Sequence, residues 1–485
     1  MQNSLGLLVA ALAGLGSAAM AAPLLAVSGP VETAPRPASA RQTPLLLAEV
    51  LESSRIHAPQ VLEALARLRG AVAQQLSAQA AFDTIFSAAA ETRLSGFYDG
   101  RDIEAKVIQP LGNLGGFAYG GYRVSGGRFP VYEDERFTNQ LGEIKAGAVL
   151  ALLRDRLIDD RRFGRVQAET DVAVADADRM MVAIGVQTRA IQTYNNWVVA
   201  GVRLSIFQDL LKLAQDRQAG FRRQVTEGAR PSILLTENEQ NILRRQSLVV
   251  QSEQALAVAA TALSLYLRDP NGQPVVPDPA RLPDQLPPPL PRPARLGDLA
   301  LARPDLRTID IRMQLARARI ALDRNAFLPR LDLQVEASRD LGNIGFGGPS
   351  RNGTESKVGL TFSLPLQQSA ARGRIAQTNA EIDAFRQRRR FLEDQIIIDI
   401  SAIEIAVTKS AQLTILARDE AARARTMALA EQRRFTLGAS DFFLVNVREE
   451  AAADAEVRRL DAAFRQIVAN ADLAAATADL DNLGL

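Results

Sequence analysis

The sequence predicts an α+β membrane protein of two tandem repeats, with four β-strands and very long coiled-coil helices in each chain. Three observations carry that expectation. The two halves match each other in order, two proline-free segments sustain helical patterning over unusual lengths, and several short segments alternate strictly between apolar and polar residues.

Residues Leu5 to Leu15 are apolar or glycine, and Ala19-Met20-Ala21 offers a small-x-small cleavage pattern. Residues 1–21 therefore read as a secretory signal peptide, and residues 22–43, rich in Pro, Ala and Ser, as a flexible mature tail. Repeat 1 covers residues 44–268, a Pro-rich linker residues 269–298, and repeat 2 residues 299–485. At an offset of about 245 residues Pro59 meets Pro304, Arg67 meets Arg312 and Ala81-Phe82 meets Ala326-Phe327. Further on the offset falls to about 210, where Thr226 meets Thr436, Gly228 meets Gly438 and Glu239 meets Glu449. The first half thus carries extra chain, which falls in the Gly- and Tyr-rich stretch from Gly96 to Gln140. That stretch reads as an exposed loop, since Gly112 to Gly127 lacks the Gly-Lys-Ser/Thr ending of a phosphate loop.

Each repeat opens with a helix, from about Leu45 to Ala81 and from about Leu296 to Ala326. Arg161 to Thr226 and Ala370 to Thr436 are the long helices, each about 100 Å at the helical rise. Both stop at a glycine turn, and return helices follow from about Ser232 to Leu267 and Phe442 to Leu480. First and return helices end to end match the long helix beside them, so a two-stranded helical wall is expected.

Strands lie between the first and long helices. Leu331, Leu333 and Val335 alternate with Arg330, Asp332 and Glu336; Val358, Leu360 and Phe362 alternate with Lys357 and Thr361. In repeat 1, Phe86 and Leu94 share the apolar parity, and Glu91 and Arg93 the polar one. A membrane barrel has this signature, with lipid outside and water inside. Phe86, Leu94, Leu331, Leu333, Val335, Val358, Leu360 and Phe362 are then the expected lipid-facing residues. Glu91, Arg93, Arg330, Asp332, Glu336 and Lys357 are the expected lumen residues. A fourth strand near Ile144 to Leu153 is apolar on both faces at its end. Four strands cannot enclose a lumen, so three copies giving twelve strands are expected.

Composition excludes other classes. The 485 residues hold no Cys and one His, His57, which removes thiol chemistry, thiolate metal sites and multi-imidazole sites. A net charge of +2 argues against a nucleic-acid binder. No catalytic constellation stands out, so no enzyme activity, cofactor or metal is expected. Arg388-Arg389-Arg390 reads as a solvated helix face, and Trp197 and Tyr194 as packing between helices.

With these residues in place, the chain resembles the TolC family of outer-membrane efflux proteins. Ser363-Leu364-Pro365-Leu366 followed by Gly373 resembles the family's strand-to-helix junction, and Arg433-Arg434-Phe435-Thr436-Leu437-Gly438-Ala439-Ser440 its periplasmic hairpin. Ala302-Arg303-Pro304-Asp305-Leu306 resembles its helix opening. The resemblance implies a homotrimer in the outer membrane, with a twelve-stranded barrel continued by an α-helical tunnel in the periplasm. It implies export of small molecules or proteins, by efflux pump or type I secretion, with a periplasmic adaptor (membrane fusion protein) and an inner-membrane transporter as partners. Adaptor contact would fall on Gly228, Ala229, Arg230 and Pro231 and on Gly438, Ala439, Ser440 and Asp441. The family's constriction carboxylates map to Leu444 and Val447, with Asp441, Arg448 and Glu449 nearby as further constriction candidates. The alternative is a periplasmic coiled-coil scaffold or adaptor protein of an envelope complex, which the alternating strands disfavour.

Overall fold

A computed structural model describes residues 43–293, 296–345 and 351–485. The expected signal peptide and the tail up to residue 42 lie outside the described residues. Helix α1 spans Leu47–His57 and α2 spans Pro59–Gln79. One continuous helix was expected there; Pro59 instead forces Ala58 into extended backbone (φ −66°, ψ 126°) and starts a new helix at its own first position. After the strands of repeat 1 come α3 (Asp160–Thr226) and α4 (Ile233–Leu263). Repeat 2 restates the plan. Its opening helix breaks at Arg303, just before Pro304, into α5 (Leu296–Leu301) and α6 (Pro304–Asn325). Helices α7 (Ser369–Thr436), α8 (Phe442–Ala476) and the short α9 (Leu480–Leu483) complete it.

The long helices have 67 and 68 residues, so each runs for about 100 Å. Asp159 caps α3 by accepting from the Arg162 amide at 2.8 Å, which satisfies one of the orphan donors of the first turn. Helices α2 and α4 share α3 as their neighbour; α6 and α8 share α7. Each chain therefore builds four helical columns, two of them single long helices.

Six strands form one sheet: β1 (Ile85–Thr92), β2 (Arg101–Pro110), β3 (Gly116–Gly126), β4 (Glu143–Ala151), β5 (Arg330–Asp340) and β6 (Thr354–Ser363). They lie in chain order, each antiparallel to the next. The expected four strands per chain are corrected to six. The extra chain of repeat 1 is mostly the β2–β3 hairpin rather than the expected loop. Its five glycines between Gly112 and Gly121 weaken strand propensity and conceal the alternation of Ala118, Tyr122 and Val124 in β3. The unclear register of the fourth strand is resolved by pairing, with Ala148 opposite Ala118 on one side and Val335 on the other.

The core lies among the helices and is made of small aliphatic residues. Leu45, Val50, Trp197, Val198, Ala259 and Leu263 bury one cluster; Ile184, Ile191, Ala471 and Leu483 bury a second. Trp197 is fully buried, and the Tyr194 hydroxyl donates to the Leu45 carbonyl at 2.8 Å. Burial, with the nearby Glu49 charge adding, pushes the Tyr194 phenol up to about 12. The Pro-rich linker is extended but docked. Leu282 and Leu286 pack on the first cluster, and Leu282 sits directly over Gly201, where a Cβ would approach it to 2.1 Å.

One half-buried acid is costly. Asp472 on α8 accepts from the Gln192 amide at 2.8 Å, yet burial raises its carboxyl above the usual range, with that bond only partly offsetting the effect. A carboxyl whose pKa is raised on folding favours the fold below its unfolded value, and that contribution is lost as pH rises through the raised value. Asp472→Asn keeps the acceptor and removes the charge. We expect its thermal midpoint at pH 7 to rise by roughly 2 °C or more, with the gain vanishing near pH 4, measured by circular dichroism melts across that range. Equal melting at pH 7 would contradict this account of the residue.

Candidate functional site: an inverted sheet and two helical turns

Antiparallel partners share a face, so the pairing sorts every strand residue. One face holds Phe86, Ala88 and Ala90 of β1, Ile103, Ala105 and Val107 of β2, and Ala118, Tyr122 and Val124 of β3. It continues through Ile144, Ala146, Ala148 and Leu150 of β4, Leu331, Leu333 and Val335 of β5, and Val358, Leu360 and Phe362 of β6. The other face holds Glu91, Asp102, Glu104, Lys106, Arg123, Glu143, Lys145, Arg330, Asp332, Glu336 and Lys357.

Large apolar side chains lie exposed on one face while some charged ones on the other are buried. Val358, Leu360 and Phe362 are 73%, 66% and 63% exposed, while Asp332 and Glu143 are only 9% and 6% exposed. The charged face pairs internally. Arg123 meets Glu143 at 2.7 Å, and Arg330 meets Asp332 at 2.7 Å. Two rungs cross glycines. Lys145 of β4 passes over Gly121 of β3 to pair with Glu104 of β2. Tyr119 of β3 lies over Gly147 of β4, where a Cβ would come within 2.7 Å of its ring, and donates to Glu336 of β5. Glycine at these positions lets a long side chain span two strands. The first rung ties the added hairpin to β4, and the second ties it to β5 of repeat 2.

The residues expected at lumen and lipid sort by pairing into the two faces of the sheet. Phe86, Leu331, Leu333, Val335, Val358, Leu360 and Phe362 share the exposed apolar face; Glu91, Arg330, Asp332, Glu336 and Lys357 share the charged one. Leu94 and Arg93 lie beyond the end of β1; Arg93 pairs with Glu133 in the loop after β3. Sequence reasoning missed Glu104, Lys106 and Arg123, because β2 and β3 were not recognised, and Glu143 and Lys145, because the fourth strand's register is unclear from sequence. The alternating run Arg101 to Ile108 was the available signal.

The two helical turns have one geometry. Gly228 and Gly438 adopt φ +71° and +74°, left-handed backbone that glycine takes without strain. The amides of Gly228 and Ala229 donate to the carbonyls of Val225 and Gln224; those of Gly438 and Ala439 donate to Phe435 and Arg434. Gly228, Ala229, Pro231, Gly438, Ala439 and Asp441 are exposed, and Arg230 and Ser440 half-buried. An aromatic cluster joins the turns: Phe221 of α3 packs edge-on to Phe442 of α8 with centroids 4.8 Å apart, and Phe435 of α7 lies 6.2 Å from both. Arg230 stands 5.5 Å over the Phe435 ring.

The constriction candidates separate. Asp441 caps α8, accepting from the Leu444 amide at 2.7 Å. Val447 is exposed, and Leu444 and Arg448 are half-buried. Glu449 is corrected. Its side chain is 5% exposed, held between α3, α4 and α8 by Arg217 and by Arg245 at 3.0 Å, so its carboxylate is engaged inside the bundle rather than free to line a passage. Arg389 likewise is no simple solvated residue, since it bonds Asp310 at 2.8 Å and pairs with Glu393. Among the described residues no cluster of His and acidic side chains fit for a metal occurs, and no helix is long and apolar enough to cross a membrane.

Residues 296–479 match the family model described as outer membrane efflux protein. A comparison with curated proteins finds no match. Among solved structures, the chain is similar to the transmembrane channel protein CusC, with TM-score 0.61, 16% identity, and 89% of this chain and 91% of that one covered. It is similar to the CmeC outer membrane channel of Campylobacter jejuni (TM-score 0.59, 14% identity, 89% and 85% covered). It is also similar to the outer membrane protein VceC of Vibrio cholerae (TM-score 0.60, 14% identity, 89% and 95% covered). At such identities these likenesses speak to the fold. Residues 296–479 thus match the outer membrane efflux protein family, and the chain as a whole is similar in fold to these solved channel proteins.

Proposed function

We propose that three copies of this chain form an outer-membrane channel for efflux, a barrel in the membrane continued by a helical tunnel in the periplasm. The two-faced sheet is the observation that carries this reading: a broad apolar face holds the exposed Val358, Leu360 and Phe362, while the opposite face gathers charged residues that pair with one another, as lipid outside and water inside require. Both edge strands, β1 and β6, lack a partner in the single chain, and lipid tolerates no open edge. With six strands per chain, β6 of one copy runs antiparallel to β1 of the next, so the ring closes without a parallel join.

Three copies then give eighteen strands, an allowed even number. The dimensions support this count over twelve. At about 4.8 Å spacing and 40° tilt, eighteen strands span roughly 110 Å of circumference, and twelve only roughly 75 Å. Twelve helical columns, four per chain at 8–10 Å, span roughly 100–120 Å. Eighteen strands thus meet the helical ring without a step in width.

The exposed turns at Gly228 to Pro231 and Gly438 to Asp441 sit at the far end of the tunnel from the strands. They are the surface for a periplasmic adaptor, through which an inner-membrane transporter would drive export of small molecules or proteins. Cell fractionation tests the reading. The protein should remain with the outer membrane through a high-salt wash, need detergent for release, and cross-link to the size of three chains. Recovery as a soluble single chain in periplasmic extract would favour a coiled-coil scaffold instead.

A further inference from the structure

The loop between β3 and β4, residues 127–142, does not extend away from the sheet. Its crest contains a short 3-10 turn, Val131–Arg136. Arg136 pairs with Glu91 of β1 at 2.5 Å and lies 3.5 Å from Asp102 of β2. Arg123 of β3 donates to the Glu135 carbonyl. Ser125 of β3 exchanges bonds with Thr138, its amide donating at 2.9 Å and its hydroxyl accepting at 2.7 Å. The Asn139 amide donates to Asp340 of β5 at 3.0 Å. All these strand residues, Glu91, Asp102, Arg123, Ser125 and Asp340, belong to the charged face. Only the root of the loop touches the apolar side, where the Tyr122 hydroxyl donates to the Leu141 carbonyl at 2.6 Å.

The loop is also packed. Phe137, Thr138 and Asn139 are buried. Arg93 pairs with Glu133, the Asn139 side-chain amide donates to the carbonyls of Gly342 and Arg351 at 3.3 and 3.2 Å, and Arg351 bonds the Asp134 carbonyl. The crest is thus fastened to four strands and to the β5–β6 connection, at the sheet end farthest from the helices.

We infer that this loop folds into the passage and narrows its outer mouth, acting as a size filter in a barrel that eighteen strands would otherwise leave wide. The inference rests on the proposed channel, in which the charged face is the lumen. Three loops, one per chain, would converge there, placing the exposed Tyr132 and Glu135 among the groups at the narrowing. Small solutes pass, and bulky ones entering from outside are stopped.

The absence of cysteine from the chain makes single-cysteine labelling a clean test. Ser87 lies on the charged face of β1, four residues and about 13 Å nearer the helices than Glu91; Ala88 lies on the apolar face. In intact cells, Ser87→Cys should react with a small polar thiol reagent but at least about tenfold more slowly with one bearing a bulky polyethylene-glycol tail, as a constriction sieves by radius. Replacing residues 129–139 by a short Gly-Ser turn, or unfastening the loop with Arg93→Ser and Arg136→Ser, should abolish that difference. Ala88→Cys should stay unlabelled in every background, which also reports correct assembly of the loop variants. Equal labelling of Ser87→Cys by both reagents with the loop intact, and Ala88→Cys unlabelled, would overturn the filter and leave the channel standing. Equal labelling of Ser87→Cys and Ala88→Cys by the polar reagent would overturn the channel itself.

Discussion

Leu360→Arg is expected to remove the protein from the outer membrane, while Thr361→Arg, one residue away, leaves it there. Leu360 sits at the middle of β6 opposite Leu333, on the exposed apolar face; Thr361 sits opposite Asp332 on the charged face. An arginine facing lipid near mid-membrane costs about 2–4 kcal/mol, and each of three chains would carry that cost. At position 361 the same side chain would meet water and the Asp332 carboxylate. The measurement is the amount of detergent-extractable trimer in outer-membrane fractions of the two variants. Equal amounts would contradict the assignment of faces. Leu333→Arg, Val335→Arg and Phe362→Arg should behave like Leu360→Arg, because the pairing places them on the same face.

Glu449→Ala is expected to destabilise the helical bundle by about 3–5 kcal/mol, since truncating one partner leaves buried charge uncompensated. Arg245 is 1% exposed, and its partners for charge are confined to the Glu449 carboxylate; it also donates to the Leu210 carbonyl at 2.7 Å. Arg217 loses the same carboxylate, though it retains Asn446 at 3.4 Å and stands 5.4 Å over the Phe442 ring. The network ties α3 and α4 of repeat 1 to α8 of repeat 2, so its loss loosens the joint between repeats. Replacing Arg245 with Met and Glu449 with Leu together should cost far less than Glu449→Ala, because no charge is then left buried. Thermal unfolding of the purified assembly measures both. A Glu449→Ala midpoint equal to that of the unsubstituted protein would show that the ion pairs contribute nothing.

Much of this architecture was legible in the sequence because its signals are long or repeated. Helices α3 and α7 declare themselves by proline-free stretches that end at Gly228 and Gly438, where left-handed backbone is needed. The breaks at Ala58 and Arg303 follow from the prolines after them, a local rule that the wider periodicity obscured. Strands β5 and β6 were readable because Leu, Val and Phe alternate with charges. Strands β2 and β3 were not, because part of their apolar face is built from Ala and Gly, small residues that carry little hydrophobic contrast. The strand count per chain, and with it the width of the proposed barrel, depended on that faint pattern. Glu449 illustrates a different limit. Its position after the second turn suggested a free carboxylate, but Arg217 and Arg245 lie more than two hundred residues away in sequence. Only the folded chain brings them together.

In the proposed channel each chain gives six strands to a three-chain barrel. Its most direct test is a cryo-electron microscopy reconstruction of the detergent-solubilised protein viewed down its long axis. Three-fold symmetry, eighteen strands in one closed ring, and β6 of each chain beside β1 of the next are expected. A ring of twelve strands with the β2–β3 hairpin outside it, or a particle without a closed ring, would contradict it.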